Sequence, residues 1–302
     1  MRITNAQITA MMHNSMNGSS AELSKLMQQL ATNKRMLLPS DDPIASVRVL
    51  RVQREEASLE QYRKNIANVS GSLSTQEVNL KSTSDAMLNV RDLLLWAANG
   101  SNTSESLAAM AGELEIIEQT IFSFANVRDE EGRYLFSGTL SDIPAVSFDD
   151  ATQTYTVDGN DKHRQAAVAN GVLVDENVTA QSVFGPNMDM LNSLHSLIAQ
   201  LKDPAMDASA VRADILTTID ALDTTHASLL GTITELGGRQ NTLTLLTNSN
   251  DEVSLVNQKI EGELSKLDYA GATIDLQNYQ LALQATQKTY LKINQLSLFN
   301  LL

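Results

Sequence analysis

Residues 44–96 read IASVRVLRVQREEASLEQYRKNIANVSGSLSTQEVNLKSTSDAMLNVRDLLLW, and apolar side chains recur in this stretch every seven residues. The repeat consists of Ala45, Val52, Leu59, Ile66, Leu73, Leu80, Met87 and Leu94, with Tyr62, Val69, Gln76, Thr83 and Val90 three residues further on. A seven-residue repeat of this length predicts a helix that supercoils left-handedly against a partner helix. At about 1.5 Å per residue, such a helix would be roughly 80 Å long.

Shorter repeats with the same spacing occur on both sides of this stretch. They consist of Met16, Leu23, Leu30 and Leu37; of Leu107, Leu114 and Ile121; of Ile215, Leu222, Leu229, Leu236 and Leu243; and of Ile260, Leu267, Ile274 and Leu281. The third repeat loses its apolar residues in the polar stretch 248–251, where we expect the register to slip. Prolines or small polar residues at 39–43, 99–104 and 203–204 are expected to separate the helices.

Residues 132–186 have a different pattern, with short aromatic and β-branched runs between turn signals. The runs are 133–138, 145–148, 154–157 and 171–174, and Asp158-Gly159 is typical of a tight turn. Such runs favour short strands. The segment is therefore predicted to be a small β-rich module inserted between helices.

These patterns together predict a fold that is mainly α, with three domains. The fold is an elongated coiled-coil helical bundle formed by the N- and C-terminal segments, with a small β-rich inserted domain. We expect residues 1–43 and 262–302 to form a terminal coiled-coil assembly domain, and 44–131 with 187–261 to form a bundle of long helices. Residues 132–186 would be the outer, inserted domain.

The net charge and the absence of cysteine argue against several kinds of partner and site. The chain has a formal net charge of −14, from 36 acidic and 22 basic residues, and it has no cysteine. An excess of negative charge argues against nucleic acids and anionic membrane surfaces as partners, because phosphate groups are recognised by clustered basic residues. Without cysteine there are no disulfides and no thiolate metal sites. No run reaches the roughly 20 apolar residues of a membrane helix, and the N-terminus lacks the apolar core of a secretory signal.

No group of residues in the sequence predicts a catalytic, cofactor-binding or metal site. The four histidines are His13, His163, His195 and His226, and no two have metal-ligand spacing. Asp41-Asp42 is interpreted as helix-start chemistry and Asp149-Asp150 as a turn, since adjacent carboxylates do not face each other. Gly237-Gly238 fits no phosphate-binding loop, because neither a strand before it nor a Lys-Ser/Thr pair after it is present. The protein is therefore predicted not to be an enzyme and to need no cofactor.

Several segments resemble the flagellin superfamily and, within it, the hook-associated proteins. They are 1–7 (MRITNAQ), 34–43 (KRMLLPSDDP), 61–66 (QYRKNI), 132–139 (GRYLFSGT), 236–241 (LGGRQN) and the C-terminal stretch from 267 to 302. The string at 132–139 is similar to the hook-associated junction subunits rather than to flagellin itself. The similarity extends over residues 1 to 302, apart from the weakly patterned segment at about 140–200.

The resemblance implies a structural subunit of the bacterial flagellum that connects the hook to the flagellin filament. Its implied partners are other copies of itself in a ring, the first hook-associated protein on the hook side, flagellin on the filament side, and an export chaperone before secretion. Its implied location is extracellular, after export without a cleaved signal peptide. Two alternatives stay open, flagellin itself and an unrelated coiled-coil scaffold or enzyme.

The residues predicted to form the assembly interface are apolar positions near the two chain ends. They are Leu23, Leu26, Leu30, Leu281, Leu296, Leu298 and Leu302. An intrachain coiled-coil core is the simpler interpretation of such leucines, and for Leu30 and Leu281 it has at least equal weight. The last three follow the final regular repeat, where leucines exposed at a fraying helix end would promote association.

Overall fold

The computed structural model describes residues 5–100, 102–203 and 211–299, and helices dominate this part of the chain. The elements in order are α1 (Asn5–Thr32), α2 (Pro43–Ala97), α3 (Ser104–Ala125), β1 (Val146–Asp149), β2 (Thr154–Val157), β3 (Gln165–Ala169), β4 (Val172–Asp175), α4 (Ala180–Phe184), α5 (Asp189–Leu201), α6 (Val211–Ser265) and α7 (Tyr269–Phe299). The predicted fold class, a helical bundle with a small β-rich insert, is confirmed.

The seven-residue repeat of α2 is the buried seam of that helix. All eight repeat positions from Ala45 to Leu94 are buried, as are the companion residues from Val69 to Val90. Repeat residues of α3 and of α6, from Leu107 and Ile215 onward, are buried in the same core with the apolar side of α5. Each helix therefore has one apolar stripe because its sequence repeats near the helical period.

The expected slip of register at 248–251 is wrong. Helix α6 continues without interruption through this stretch, and Asn250 and Asn257 are buried seven and fourteen residues after Leu243. Ser254 lies between them on the same side and donates a hydrogen bond to Glu56 of α2. The seam changes from apolar to polar while its spacing is kept, because hydrogen-bonding side chains can occupy seam positions of a coiled coil.

The α1 repeat also ends earlier than its spacing predicts. Helix α1 stops at Thr32, and Asn33 has a φ of 54°, in the left-handed region that terminates helices. Leu37 lies in the linker to α2, where its backbone N–H donates to the carboxylate of Asp41. The other breaks agree with prediction where they are described, since α2 ends at Ala97 and Thr103 caps the start of α3.

The inserted segment contains two separate antiparallel hairpins. Strand β1 pairs with β2, with Phe148 opposite Tyr155, and β3 pairs with β4 with an irregularity between Ala167 and Ala169. The turn between β1 and β2 uses Asp149, whose carboxylate accepts from the N–H of Ala151, as the turn interpretation of Asp149-Asp150 predicted.

Two expectations for the insert are corrected. Asp158-Gly159 does not form the predicted tight turn. The chain bends at Gly159, which lies so close to Ser137 that a Cβ on it would be 2.8 Å from the Ser137 Cα. Residues 133–138 form only isolated bridges, Arg128 with Tyr134 and Ser137 with Thr179, because their hydrogen bonds go to surrounding loops and not to a neighbouring strand.

The chain divides into two compact units. The first comprises Met1–Ser58 and Glu252–Leu302, and the second comprises Leu59–Asp251. The first unit contains α1, α7 and the adjoining ends of α2 and α6, whereas the second contains α3, α4, α5 and both hairpins. The finer three-domain division at residues 43/44, 131/132, 186/187 and 261/262 stays a prediction.

Candidate assembly surface

A short linker connects α1 to α2, and two aspartates shape it. The Asp41 carboxylate accepts from Lys25 Nζ at 2.8 Å and from the backbone N–H groups of Leu37 and Leu38. These donors lower the pKa of Asp41 to about 2, the hydrogen bond from Lys25 being the largest cause. Asp42 accepts from the N–H of Ala45 and so caps α2, as the helix-start interpretation of the pair predicted.

This linker is hydrogen-bonded to the end of α6. The N–H of Arg35 donates to the Ser265 carbonyl at 2.8 Å, and its guanidinium reaches the Leu264 carbonyl at 3.3 Å. Lys34 and Lys266 form a single antiparallel bridge beside this contact. We call these contacts between 34–35 and 264–266 the bracket. Within the first unit, the bracket ties together the two breaks that precede α2 and follow α6.

Helices α1 and α7 pair with each other through a small apolar seam. Leu26 is buried with Leu267 and Ala272, and Leu30 packs at the margin of this cluster. The Tyr269 hydroxyl donates to the Leu30 carbonyl at 3.1 Å, and the rings of His13 and Tyr290 meet edge to face at 5.2 Å further along. Since only three of the described residues are buried in it, this seam stabilises the pair much less than the large core of the second unit stabilises its helices.

The predicted interface residues fall into three groups. Leu26 and Leu30 lie in the α1–α7 seam, and Leu23 is half-buried on the same helix. Leu281 is 64% exposed and belongs to the free side of α7. Leu296 and Leu298 belong to α7, but their side chains, like the whole of Leu302, lie outside the described residues. Their assembly role stays a prediction.

An apolar groove between α1 and α7 was missed by the sequence reasoning. It is open, has a volume of about 470 Å³, and is lined mainly by Ile8, Met11, Met12 and Ala285. Ile8 and Met12 are four residues apart, which is the spacing of neighbours on one helix face. That signal was available, but these residues precede the repeat that begins at Met16.

Exposed apolar side chains are frequent on the rest of the first unit. They include Ile44, Val47, Leu50, Leu255, Val256, Ile274, Leu281 and Leu291. Soluble monomers rarely leave a large area of this kind open to water, because water contact with apolar surface is unfavourable. Among the described residues, the first unit therefore carries much of the apolar surface that the chain leaves exposed.

The most unusual titratable cluster belongs to the second unit and holds the first hairpin in place. The buried carboxylate of Glu118 is 2.9 Å from His195 Nδ1, and His195 Nε2 is 3.2 Å from the Gln153 amide oxygen. Burial raises the pKa of Glu118, although the hydrogen bond with Tyr155 and the nearby His195 lower it. Phe148 and Tyr155 pack against the His195 ring, so the cluster joins β1–β2 to α3 and α5.

The remaining histidines have structural partners. His226 lies on the α6 seam and its Nε2 is 2.9 Å from Ser84 Oγ, while His163 Nδ1 is 3.0 Å from the Asn177 carbonyl oxygen. Among residues 5–100, 102–203 and 211–299, no three His, Asp or Glu side chains come together in a way that could hold a metal ion. In the same residues no helix is both long and apolar enough to span a bilayer.

Known proteins have a similar architecture and a related sequence. The model of the bacterial flagellin N-terminal helical region matches residues 3–141. A solved structure from Vibrio parahaemolyticus, described as a flagellar hook-associated protein, is 39% identical, covers 75% of this chain and 100% of its own, and has a TM-score of 0.69. The chain belongs to the flagellar hook-associated protein family. The resemblance seen in the sequence is thereby confirmed.

Full-length relatives specify the branch of the hook-associated family. Flagellar hook-associated protein 3 of Escherichia coli K12 is 27% identical over 303 residues, covering 94% of each chain. The protein of the same name from Salmonella typhimurium LT2 is 26% identical over 317 residues, covering 100% of this chain and 99% of its own. The crystal structure of the flagellar junction protein FlgL from Legionella pneumophila, at 15% identity, covers 72% of this chain and all of its own, and shares the fold with a TM-score of 0.61.

Proposed function

We propose that this chain is the structural subunit that connects the flagellar hook to the flagellin filament. The observation that carries the proposal is the exposed apolar surface of the first unit, on α1, α7 and the adjoining parts of α2 and α6. In a hook-associated protein such a surface is suited to burial against neighbouring subunits. Its relatives' names, hook-associated protein 3 and junction protein, support the same assignment.

The proposed partners follow from this position in the flagellum. Copies of the chain form a ring, with the first hook-associated protein on the hook side and flagellin on the filament side. A ring between two different proteins needs two unlike axial faces, because each face must bind one partner and reject the other. The subunit acts without catalysis, and it binds an export chaperone before it is secreted.

A deletion strain tests this function directly. Cells that lack the chain should assemble normal hooks, carry no filaments, and release flagellin into the medium. Expression of the wild-type chain should restore attached filaments, counted by electron microscopy. Filaments attached in normal number to hooks of the deletion strain would rule the proposal out.

Substitution of exposed leucines on α7 tests whether this surface is needed for filament attachment. Leu281→Asp with Leu291→Asp should abolish filament attachment while helix content and melting of the purified chain stay near wild type, because both side chains are exposed. The matched control is Leu173→Asp, an equally exposed leucine on the β4 hairpin, which should leave attachment intact.

Truncation after residue 295 tests the C-terminal positions Leu296, Leu298 and Leu302 in the same assay. We expect a soluble chain with nearly unchanged melting and no filament attachment. Normal filaments on cells that express the truncated chain would remove these three leucines from the interface.

Flagellin itself is the second candidate, and the match to the flagellin N-terminal region is the observation that favours it. The two functions differ in polymerisation. Purified flagellin elongates into long filaments when seeded with filament fragments, whereas a junction subunit should not. Elongation of seeds by the purified chain would favour the flagellin assignment.

A further inference from the structure

The outer side of α2 in the first unit combines apolar and basic side chains. Val47 and Leu50 are 58% and 50% exposed, and Arg51 and Arg54 are exposed beside them. We call these four residues the basic face. At 100° per residue they lie opposite Ala45 and Val52, which are buried in the seam. In the described part of the chain, neither arginine takes part in an ion pair, so both charges are available to a partner.

The outer side of α6 in the same unit combines apolar and acidic side chains. Leu255 and Val256 are 69% and 55% exposed, and Glu252 and Glu263 are exposed on the same side. We call these four residues the acidic face. Lys259 is exposed between the two glutamates, so the acidic face together with Lys259 has one net negative charge. Neither glutamate forms an ion pair with any described residue.

The two faces point away from each other. Helices α2 and α6 meet here through their inner sides, where Gln53 donates to Glu261 at 2.8 Å and Ser254 donates to Glu56. Because each face lies on the side of its helix opposite to these contacts, the basic and acidic faces cannot meet within one chain. Surfaces that are complementary but point in opposite directions associate head to tail, and head-to-tail contacts generate closed rings or helices.

We propose that the basic face of one copy docks on the acidic face of the next copy, and that this contact joins neighbouring subunits around the junction. The inference rests on the proposed function, which places several copies side by side. A second copy is the favoured occupant because the complementary charges and the apolar residues are present on both sides of the same unit. Opposite charges would set the register of the contact, and burial of the four apolar side chains would stabilise it.

Cysteine cross-linking tests the contact in assembled flagella. The wild-type chain has no cysteine, so introduced thiols have no background within this protein. The double variant Leu50→Cys, Val256→Cys, expressed in the deletion strain, should give a ladder of covalent multimers of the chain when isolated flagella are oxidised. Each single variant should give no ladder. The pair Leu50→Cys, Ile116→Cys, with an exposed position on α3, is the matched control and should also give none.

Charge reversal gives an independent test. Arg51→Glu with Arg54→Glu should lower the number of attached filaments about tenfold, since like charges would then face each other. Glu252→Arg with Glu263→Arg should lower it similarly, and the combination of all four changes should restore most of the loss. Circular dichroism of each purified variant should match the wild type, because all four side chains are exposed.

The outcomes separate this inference from the proposed function. Normal flagella with no Leu50–Val256 cross-link, or four-fold reversal no better than either pair, would overturn the contact and leave the junction role intact. Cross-links from the Leu50 thiol to another flagellar protein instead would also overturn it. Failure of the deletion strain to lose filaments would overturn the function on which the contact rests.

Discussion

Asn250 and Asn257 make the buried seam of α6 polar while its seven-residue spacing is kept. Both are buried at positions that leucines occupy earlier in α6. Asn250 reaches the Val168 carbonyl at 3.5 Å, whereas the side-chain nitrogen of Asn257 is buried with no hydrogen-bond partner among the described residues. A buried donor without an acceptor destabilises a fold because its hydrogen bonds to water are not replaced.

Replacement of Asn257 by leucine should therefore stabilise the protein. The change removes the unsatisfied donor and adds apolar contact in the seam, so we expect the free energy of unfolding to rise by about 1 kcal/mol. Urea unfolding followed by circular dichroism measures it. The control is Asn248→Leu on the exposed side of α6, which should change stability by less than about 0.5 kcal/mol. A less stable Asn257→Leu protein would contradict the interpretation of the Asn257 amide as an unsatisfied donor.

The buried carboxylate of Glu118 should make stability depend on pH. Its pKa in the folded chain is raised above the ordinary 4.5, mainly by burial. A raised pKa means that the contribution of this group is fully present below 4.5 and is lost as the pH rises through the folded pKa. Glu118→Gln should remove this loss, so the variant should gain stability relative to wild type as the pH rises.

Thermal melting across the acid to neutral range measures this difference. Glu113→Gln, an exposed glutamate on the same helix, is the control and should shift all melting points by a similar amount. A difference in melting temperature between Glu118→Gln and wild type that is independent of pH would show that burial does not raise the pKa of Glu118.

At the scale of elements, the pairing of α1 with α7 buries few of the described apolar residues. Leu26 is one of three buried residues in their seam, together with Leu267 and Ala272. Leu26→Ala should destabilise this pair by about 2 kcal/mol, the low end for a buried leucine, because a small seam can partly close around the gap. Hydrogen exchange should become faster in α1 and α7 and stay unchanged in α3 and α5.

Met27→Ala is the matched control for that prediction. Met27 is the next residue on α1 and its side chain is exposed, so its removal should leave exchange in both helices close to wild type. Equal acceleration of hydrogen exchange by both substitutions would show that contacts other than the apolar seam hold α1 and α7 together.

Element boundaries show where sequence was sufficient and where it was not. Helix α2 was predicted from 44 to 96 and runs from Pro43 to Ala97, because its apolar repeat is unbroken and a proline marks its start. Strand β3 was missed, since QAAVA has only one β-branched residue and its partner β4 provides most of the signal. The bracket could not be predicted from the sequence, because backbone hydrogen bonds between distant segments leave no pattern of side chains.

The candidate surface was predicted in part for the same reasons. Leucines at helix-repeat positions are visible in a sequence, but whether a leucine faces its own partner helix or solvent depends on the tertiary packing. Leu267 and Leu281 illustrate this, because both belong to the same seven-residue row and Leu267 is buried whereas Leu281 is exposed. The basic and acidic faces were missed because they become surfaces only once α2 and α6 are paired.

For the whole molecule, the two compact units should unfold separately. The large apolar core lies in the second unit, whereas the first has a polar seam and a small cluster between α1 and α7. Heating should therefore remove helix in two steps, the first belonging to residues 1–58 and 252–302.

Two optical signals separate these steps. Far-ultraviolet circular dichroism reports every helix, whereas Trp96, the only tryptophan of the chain, belongs to the second unit. Tryptophan fluorescence should follow the second step alone. Coincidence of the two signals in one transition would show that the units unfold together.

The bracket also has a consequence for chain length. It joins Arg35 to Leu264, which are 229 residues apart, by backbone carbonyls and not by a covalent link. For an unfolded chain, the entropy lost on closing a loop grows only with the logarithm of its length, so forty extra residues between these points would add roughly 0.1 kcal/mol. The segment between them, which includes both hairpins, could therefore become considerably longer or shorter with almost no change in the free energy of closing the loop. Helix α1 would still end, and α7 would still begin, beside the same pair of hydrogen-bonded segments.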